Sequence, residues 1–111
     1  MPATTRAALY AIPDPDGWYP AMLPGTGLVH GACHEVGAVD LAAVDAFEGA
    51  DYTRAPVECA LVPAQAHALA PQTKTHAYLW TAPLPGNAER IAHGDFARWL
   101  AETGHTAFAG D

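Results

Sequence analysis

Asp40-Leu41-Ala42-Ala43-Val44-Asp45-Ala46-Phe47-Glu48-Gly49, continuing as Ala50-Asp51-Tyr52-Thr53-Arg54, is the stretch where the local rules of the chain change. Leu41, Val44 and Phe47 recur at i, i+3 and i+6, which predicts a helix over Asp40–Phe47. Asp40 is placed to cap its first turn. Gly49 is placed as the left-handed residue that ends it. A few residues later Val57, Cys59 and Leu61 alternate onto one face, so Tyr52–Leu61 reads as a strand. Pro56 predicts that this strand starts late or lies on an edge.

Toward the N-terminus, Thr5–Ile12 reads as a short apolar strand. It is ended by Asp14-Pro15-Asp16-Gly17, where proline presets φ and glycine supplies the unusual backbone of a turn. Trp18-Tyr19-Pro20 and Met22-Leu23 follow, and Pro24-Gly25-Thr26-Gly27 reads as a second turn. Leu28–Val36 is a strand with His30, Ala32 and His34 on one face and Val29, Gly31, Cys33 and Glu35 on the other. Gly31 in its middle predicts a bulge or the close approach of another backbone.

Toward the C-terminus, Pro63–Thr73 reads as a loop or a poorly formed hairpin arm, and Thr75–Thr81 as a strand. Pro83–Asn87 is a turn. Asp95 caps a last helix that turns Phe96, Trp99 and Leu100 inward, and the tail from Gly104 should be loose. Strands and helices do not alternate regularly, and no repeat is present. The expectation is one α+β domain over residues 1–111: a small mixed β-barrel with short flanking helices.

With 111 residues, half of them apolar, the chain can build a modest core without staples. Twelve acids face five bases, a net charge of -7, and the bases Arg6, Arg54, Lys74, Arg90 and Arg98 are scattered. No basic face exists to neutralise phosphates, which excludes nucleic acid and anionic membrane surfaces as expected partners. No apolar run approaches the ~20 residues of a membrane span. Met1–Arg6 lacks the apolar stretch of an export signal, so a cytoplasmic location is expected.

Asp45 and Glu48 share a helix face in the last turn, where the macrodipole disfavours acids, and Asp51 lies just beyond. That placement should raise at least one carboxyl pKa, Glu48 included, and a carboxyl tuned upward suits general acid/base work. Arg54 is placed to orient one of the carboxylates or to hold a substrate carboxylate. The same residues also read as a solvated acidic helix end with Arg54 in a surface ion pair. His30 and His34 lie roughly 13 Å apart along a strand and cannot chelate one metal, and the other histidines stand singly. Gly25-Thr26-Gly27 leads into a strand, not a helix, so it makes no phosphate site. Trp18, Tyr19, Tyr52, Tyr78 and Trp80 are core or pocket wall; Tyr52 and Tyr78 favour a pocket because a phenol wants a polar partner.

Taken in order, Trp18-Tyr19-Pro20, Leu28-Val29-His30-Gly31, Val44–Gly49 and Asp51-Tyr52-Thr53-Arg54 resemble the gamma-glutamylcyclotransferase-like, or AIG2-like, family. Ala77-Tyr78-Leu79-Trp80 and His93-Gly94-Asp95-Phe96 are similar to its later segments, so the likeness spans about Ala8 to Trp99. The resemblance implies cofactor-free cyclisation of a γ-glutamyl amine to 5-oxoproline, with release of the amine. It implies Glu48 as general acid/base, no metal, and Tyr19, Gly31, Tyr52, Arg54 and Tyr78 as residues that hold a small γ-glutamyl compound. It leaves open a second function, a family member that binds a small molecule or a partner without turnover.

The likeness departs at the start. The family's first strand carries Tyr-Gly-Ser/Thr, whereas Leu9-Tyr10-Ala11-Ile12 does not, and its spacing to Tyr19-Pro20 resembles the second strand. The chain is therefore read as starting one strand late. An edge bared in that way presents unpaired backbone groups, which predicts a homodimer or a swapped strand along it.

Cys33 and Cys59 fall on apolar strand faces in a chain with no export signal, so they are expected to stay unlinked. Intact mass measured before and after reduction checks this. A gain of two hydrogens per chain on reduction would contradict it.

Overall fold

The computed structural model describes residues 2–32, 41–61 and 72–108. Its elements run β1 (Pro2–Asp14), β2 (Gly17–Ala32), α1 (Leu41–Glu48), β3 (Tyr52–Leu61), β4 (Gln72–Trp80), β5 (Glu89–Arg90) and α2 (Phe96–Thr103). The strands form one antiparallel sheet in the order β2-β1-β3-β4, with β5 added to β1. The expected α+β class holds: a curled sheet carries two short helices.

β1 organises the sheet. It pairs with β2 along its whole length, with β3 through Ala3–Thr5, and with β5 through Tyr10 and Ala11. Its second half is buried on both faces. Ala7, Leu9 and Ala11 meet Val29, Ile91 and Trp99 on one side, and Ile12 packs with Ala21 and Trp80 on the other. Alanines on the strand leave room for two tryptophans to close over it, one per face.

The β1–β2 connection is the predicted turn. Asp14 faces Gly17 across Pro15-Asp16, and the Asp16 N–H donates to Asp14 Oδ1 at 3.1 Å. The second predicted turn is corrected. Pro24-Gly25-Thr26-Gly27 is a bulge inside the single long strand β2, because the register jumps from Arg6↔Leu28 to Ala8↔Leu23. A Cβ on Gly25 would lie 2.9 Å from the Ala8 backbone, so the bulge folds tightly onto β1. Bulges add twist, and the sheet curls until its end strands approach: the Tyr19 ring of β2 lies 6.2 Å from the Trp80 ring of β4, and the Tyr52 hydroxyl of β3 reaches the Pro20 carbonyl of β2 at 3.1 Å.

Gly31 is also corrected. It is exposed near the end of β2 and pairs with Ala3 in regular register, and among the described residues no other backbone approaches its Cβ position. The close approach belongs to Gly94, at φ +73, where a Cβ would collide with the Leu28 carbonyl. The Gly94 carbonyl accepts the His30 N–H at 2.7 Å and ties β2 to the start of α2. Asp95 caps α2 as expected, its side chain accepting the Arg98 N–H at 3.1 Å. Trp99 is buried, flanked by half-buried Phe96 and Leu100.

β3 starts at Tyr52 and pairs with β4 throughout, whereas β1 reaches only Cys59–Leu61. Among the described residues Pro56 therefore has a strand on one side alone, a position where a missing N–H is tolerated. Cys59 is buried. The Asp40 cap, Cys33 and the Pro63–Pro71 stretch lie outside the described residues.

The expected loose tail is corrected as far as Phe108. Gly104 closes α2 at φ 76, and the chain then runs beside β2. Trp18 N–H donates to the Thr106 carbonyl at 2.9 Å, and Phe108 N–H donates to the Trp18 carbonyl at 2.7 Å. This parallel bridge requires Gly17, since a Cβ there would lie 2.8 Å from the Ala107 backbone. The His105 ring stacks against Trp18 and Trp99 at 4.7 and 5.2 Å. No helix among the described residues is long and apolar enough to cross a membrane.

Gly94→Ala combines a left-handed backbone with a steric collision. It should cost at least about 2 kcal/mol, read as a lowered urea midpoint. An unchanged midpoint would contradict the packing described for Leu28 and Gly94.

Candidate functional site

A cleft of about 480 Å³ opens where β2, the end of α1, the start of β3, the end of β4 and the C-terminal strap converge. Among the described residues it is lined by Tyr19, Pro20, Glu48, Asp51, Tyr52, Tyr78, Trp80 and Phe108. Its size lies in the range of small-molecule sites. Two acids and three phenols stand among apolar rings, with no lysine or arginine in the described wall. Such a wall favours a ligand carrying an ammonium group, held by carboxylate charge and by the aromatic faces.

The chain reaches this arrangement through a tight helix-to-strand turn. Gly49, at φ +90, donates to the Asp45 carbonyl at 3.2 Å, and Tyr52 N–H donates back to the Gly49 carbonyl at 3.4 Å. Glu48, the last residue of α1, and Tyr52, the first of β3, are thereby set on the same cleft.

Asp45 holds the helix end to the sheet. Its carboxylate accepts Arg54 Nε at 2.9 Å and Nη2 at 3.3 Å, and the Tyr78 hydroxyl at 2.6 Å. Arg54 sits on β3 and Tyr78 on β4, directly paired in register. The expected rise in a carboxyl pKa is reversed at Asp45. The Arg54 hydrogen bonds, then the Tyr78 hydroxyl, hold it below its ordinary value, outweighing the partial loss of solvent. The phenols move the other way. Tyr52 is pushed up to about 12 mainly by burial, with Tyr19, Glu48 and Asp51 adding to it. Tyr78 is also pushed up to about 12, by burial and by its bond to Asp45. Tyr19 is raised by burial and by Asp14 and Asp51. All three therefore enter the site as neutral hydroxyls at neutral pH.

Of the residues the sequence pointed to, Glu48, Tyr19, Tyr52 and Tyr78 meet in the cleft. Arg54 does not line it. Its guanidinium is committed to Asp45, so it acts one step back, by fixing the helix end that carries Glu48. Gly31 is not in the described wall. Trp18 is set against Trp99, at 5.2 Å edge to face, rather than in the cleft. Trp80, read from the sequence as core or pocket wall, is both, and Pro20, Asp51 and Phe108 are wall residues that sequence reasoning did not assign. The indole N–H of Trp80 is buried and finds no acceptor among the described residues. Such a donor is uncommon and costs about 1–3 kcal/mol.

A model of the gamma-glutamyl cyclotransferase, AIG2-like family matches residues 1–99. The chain belongs to this family. No curated protein and no solved structure matches it at a significant level. For this AIG2-like chain the match covers every described cleft residue except Phe108, which lies beyond its end.

The Asp45 clamp has a pH signature. A carboxyl whose folded pKa lies below the unfolded value contributes fully above that value and loses the contribution as pH falls through the folded one. The stability advantage of wild type over Asp45→Asn should therefore be present at neutral pH and shrink below about pH 4. Urea midpoints at stepped pH measure it. A gap that stays constant or widens down to pH 2 would exclude the clamp.

Proposed function

We propose that this AIG2-like protein cyclises a γ-glutamyl amine to 5-oxoproline and releases the amine, with Glu48 as the general acid/base. The observation that carries the reading is Glu48 itself: the last residue of α1 lines a cleft built otherwise of Asp51, phenols and apolar rings. Family membership supports the reaction class.

The chemistry needs little from the protein. The substrate's α-nitrogen is its own nucleophile. Glu48 takes a proton from the α-ammonium, and the freed amine attacks the γ-carbonyl carbon. A carbon–nitrogen bond closes the five-membered ring. The γ-amide bond then breaks as the same carboxyl gives that proton to the departing nitrogen. The restored carboxylate takes the second proton from the ring nitrogen, leaving the neutral lactam, and passes that proton to the released amine. Glu48 and Asp51 attract the ammonium, and the neutral hydroxyl of Tyr19 is a donor for the carbonyl oxygen, while those of Tyr52 and Tyr78 donate to the Pro20 carbonyl and the Asp45 carboxylate. The reaction calls for no cofactor and suits a cytoplasmic protein.

One observation favours the second reading, a family member that binds without turnover. Arg54, the cation nearest in sequence to the site, is paired with Asp45, and the described wall offers no other cation for a glutamyl carboxylate.

Glu48→Gln keeps shape and hydrogen bonding but removes the proton acceptor. It should lower 5-oxoproline release from γ-glutamyl dipeptides and γ-glutamyl amines by roughly 10²–10⁴-fold, with thermal stability unchanged or slightly raised. Equal turnover by both proteins would remove Glu48 from the mechanism. No turnover by either, with intact folds, would favour the binding reading.

A further inference from the structure

We infer that Phe108, carried on the C-terminal strap, is a specificity-determining residue of the cleft and selects an apolar, preferably aromatic, group on the amine side of the ligand. The inference rests on the reading of the cleft as a γ-glutamyl site and deepens it.

Three observations place the residue. Phe108 is 37% exposed and lines the cleft, one of two large hydrophobic side chains left exposed among the described residues. Its ring meets Tyr19 edge to face at 6.0 Å and 67°, and Tyr19 in turn lies 6.2 Å from Trp80, so the three rings form a continuous aromatic wall. The segment that carries it is held, not draped. The Phe108 N–H itself donates to the Trp18 carbonyl, Trp18 donates to Thr106, and His105 stacks between the strap and the Trp18–Trp99 pair.

Gly17 makes the seating sterically possible. At φ +136 it takes a backbone conformation that other residues rarely adopt, and its missing Cβ leaves the space into which Ala107 and the Phe108 nitrogen fit. The first turn of the chain and its last described residues are thus shaped to each other.

The chemistry then assigns the side of the ligand. In any γ-glutamyl amine the glutamyl end is polar, with an ammonium and a carboxylate. An exposed phenylalanine beside Tyr19, Trp80 and Pro20 matches only the group on the departing amine. That group would bury apolar area and gain a ring contact where it is aromatic. Phe108 lies outside the residues matched to the family, whereas Tyr19, Pro20 and Trp80 lie within them.

The test compares γ-glutamyl-benzylamide with γ-glutamyl-methylamide, which share the glutamyl end and differ only in the amine. Selectivity is the ratio of kcat/KM where the protein turns the ligands over, and the ratio of Kd where it only binds them. Wild type should prefer the benzylamide by about tenfold. Phe108→Ala should bring the ratio to within about twofold of unity, through a larger loss on the benzylamide than on the methylamide. Its melting temperature should stay close to wild type, since the ring is partly exposed. Gly17→Ala should lose the same preference with Phe108 still present, because the strap can no longer seat. A preference that survives Phe108→Ala, or equal loss for both ligands, overturns the inference and leaves the γ-glutamyl reading standing. Failure of wild type to bind or convert either ligand overturns both.

Discussion

Everything in this structure is built against a strand that is covered on both faces. The second half of β1 buries Leu9 and Ala11 under Trp99 and Ile12 under Trp80, while β2 and β5 pair with its backbone and β3 pairs with the first part of the strand. A strand in that position cannot slip by one residue, because a slip would exchange the contents of two cores. Its small side chains set how closely the tryptophans approach, and hence where α2 and the end of β4 lie. The cleft is a consequence: Trp80 is at once the cap of one core and a wall of the site.

The site itself depends on a second constraint, the seating of a helix end. Two acids in the last turn of α1 oppose the helix dipole. The sheet answers with Arg54 and Tyr78, adjacent across β3 and β4, which together take the Asp45 carboxylate. One acid is spent on structure, and Glu48, three residues on, is left to line the cleft. The two readings of the sequence therefore fall on different carboxylates of the same turn: Asp45 is the ion-paired one, and Glu48 is the one proposed as general acid/base.

Much of this was legible locally. The Gly49 helix stop, the start of a strand at Tyr52, the Asp14–Gly17 turn and the Asp95 cap are each decided by a few neighbouring residues. Each appears where the residue chemistry put it. The errors share one cause. Pro24-Gly25-Thr26-Gly27 has the chemistry of a turn, but a bulge uses the same residues, and only pairing with Arg6 and Ala8 tells them apart. Arg54 had two anionic partners open to it, and the register of β3 on β4 chose Asp45. Gly104 reads as the start of a loose end, yet the backbone groups of Trp18, some ninety residues earlier, bind the segment that follows.

The sequence by itself determined the class of the fold, the helix stop at Gly49, the strand start at Tyr52 and the Asp95 cap, the family, and the helix-end acid on which the proposed chemistry turns. These rest on short-range forces: backbone sterics, capping, and the periodicity of apolar side chains. The tertiary structure decided which acid is clamped and which faces the cleft, that three tyrosines far apart in the chain meet there, and that the tail supplies part of the wall. Those outcomes depend on which strand edges pair and which Cβ atoms are missing at the crossing points. Such contacts join residues whose separation along the chain carries no signal of their meeting.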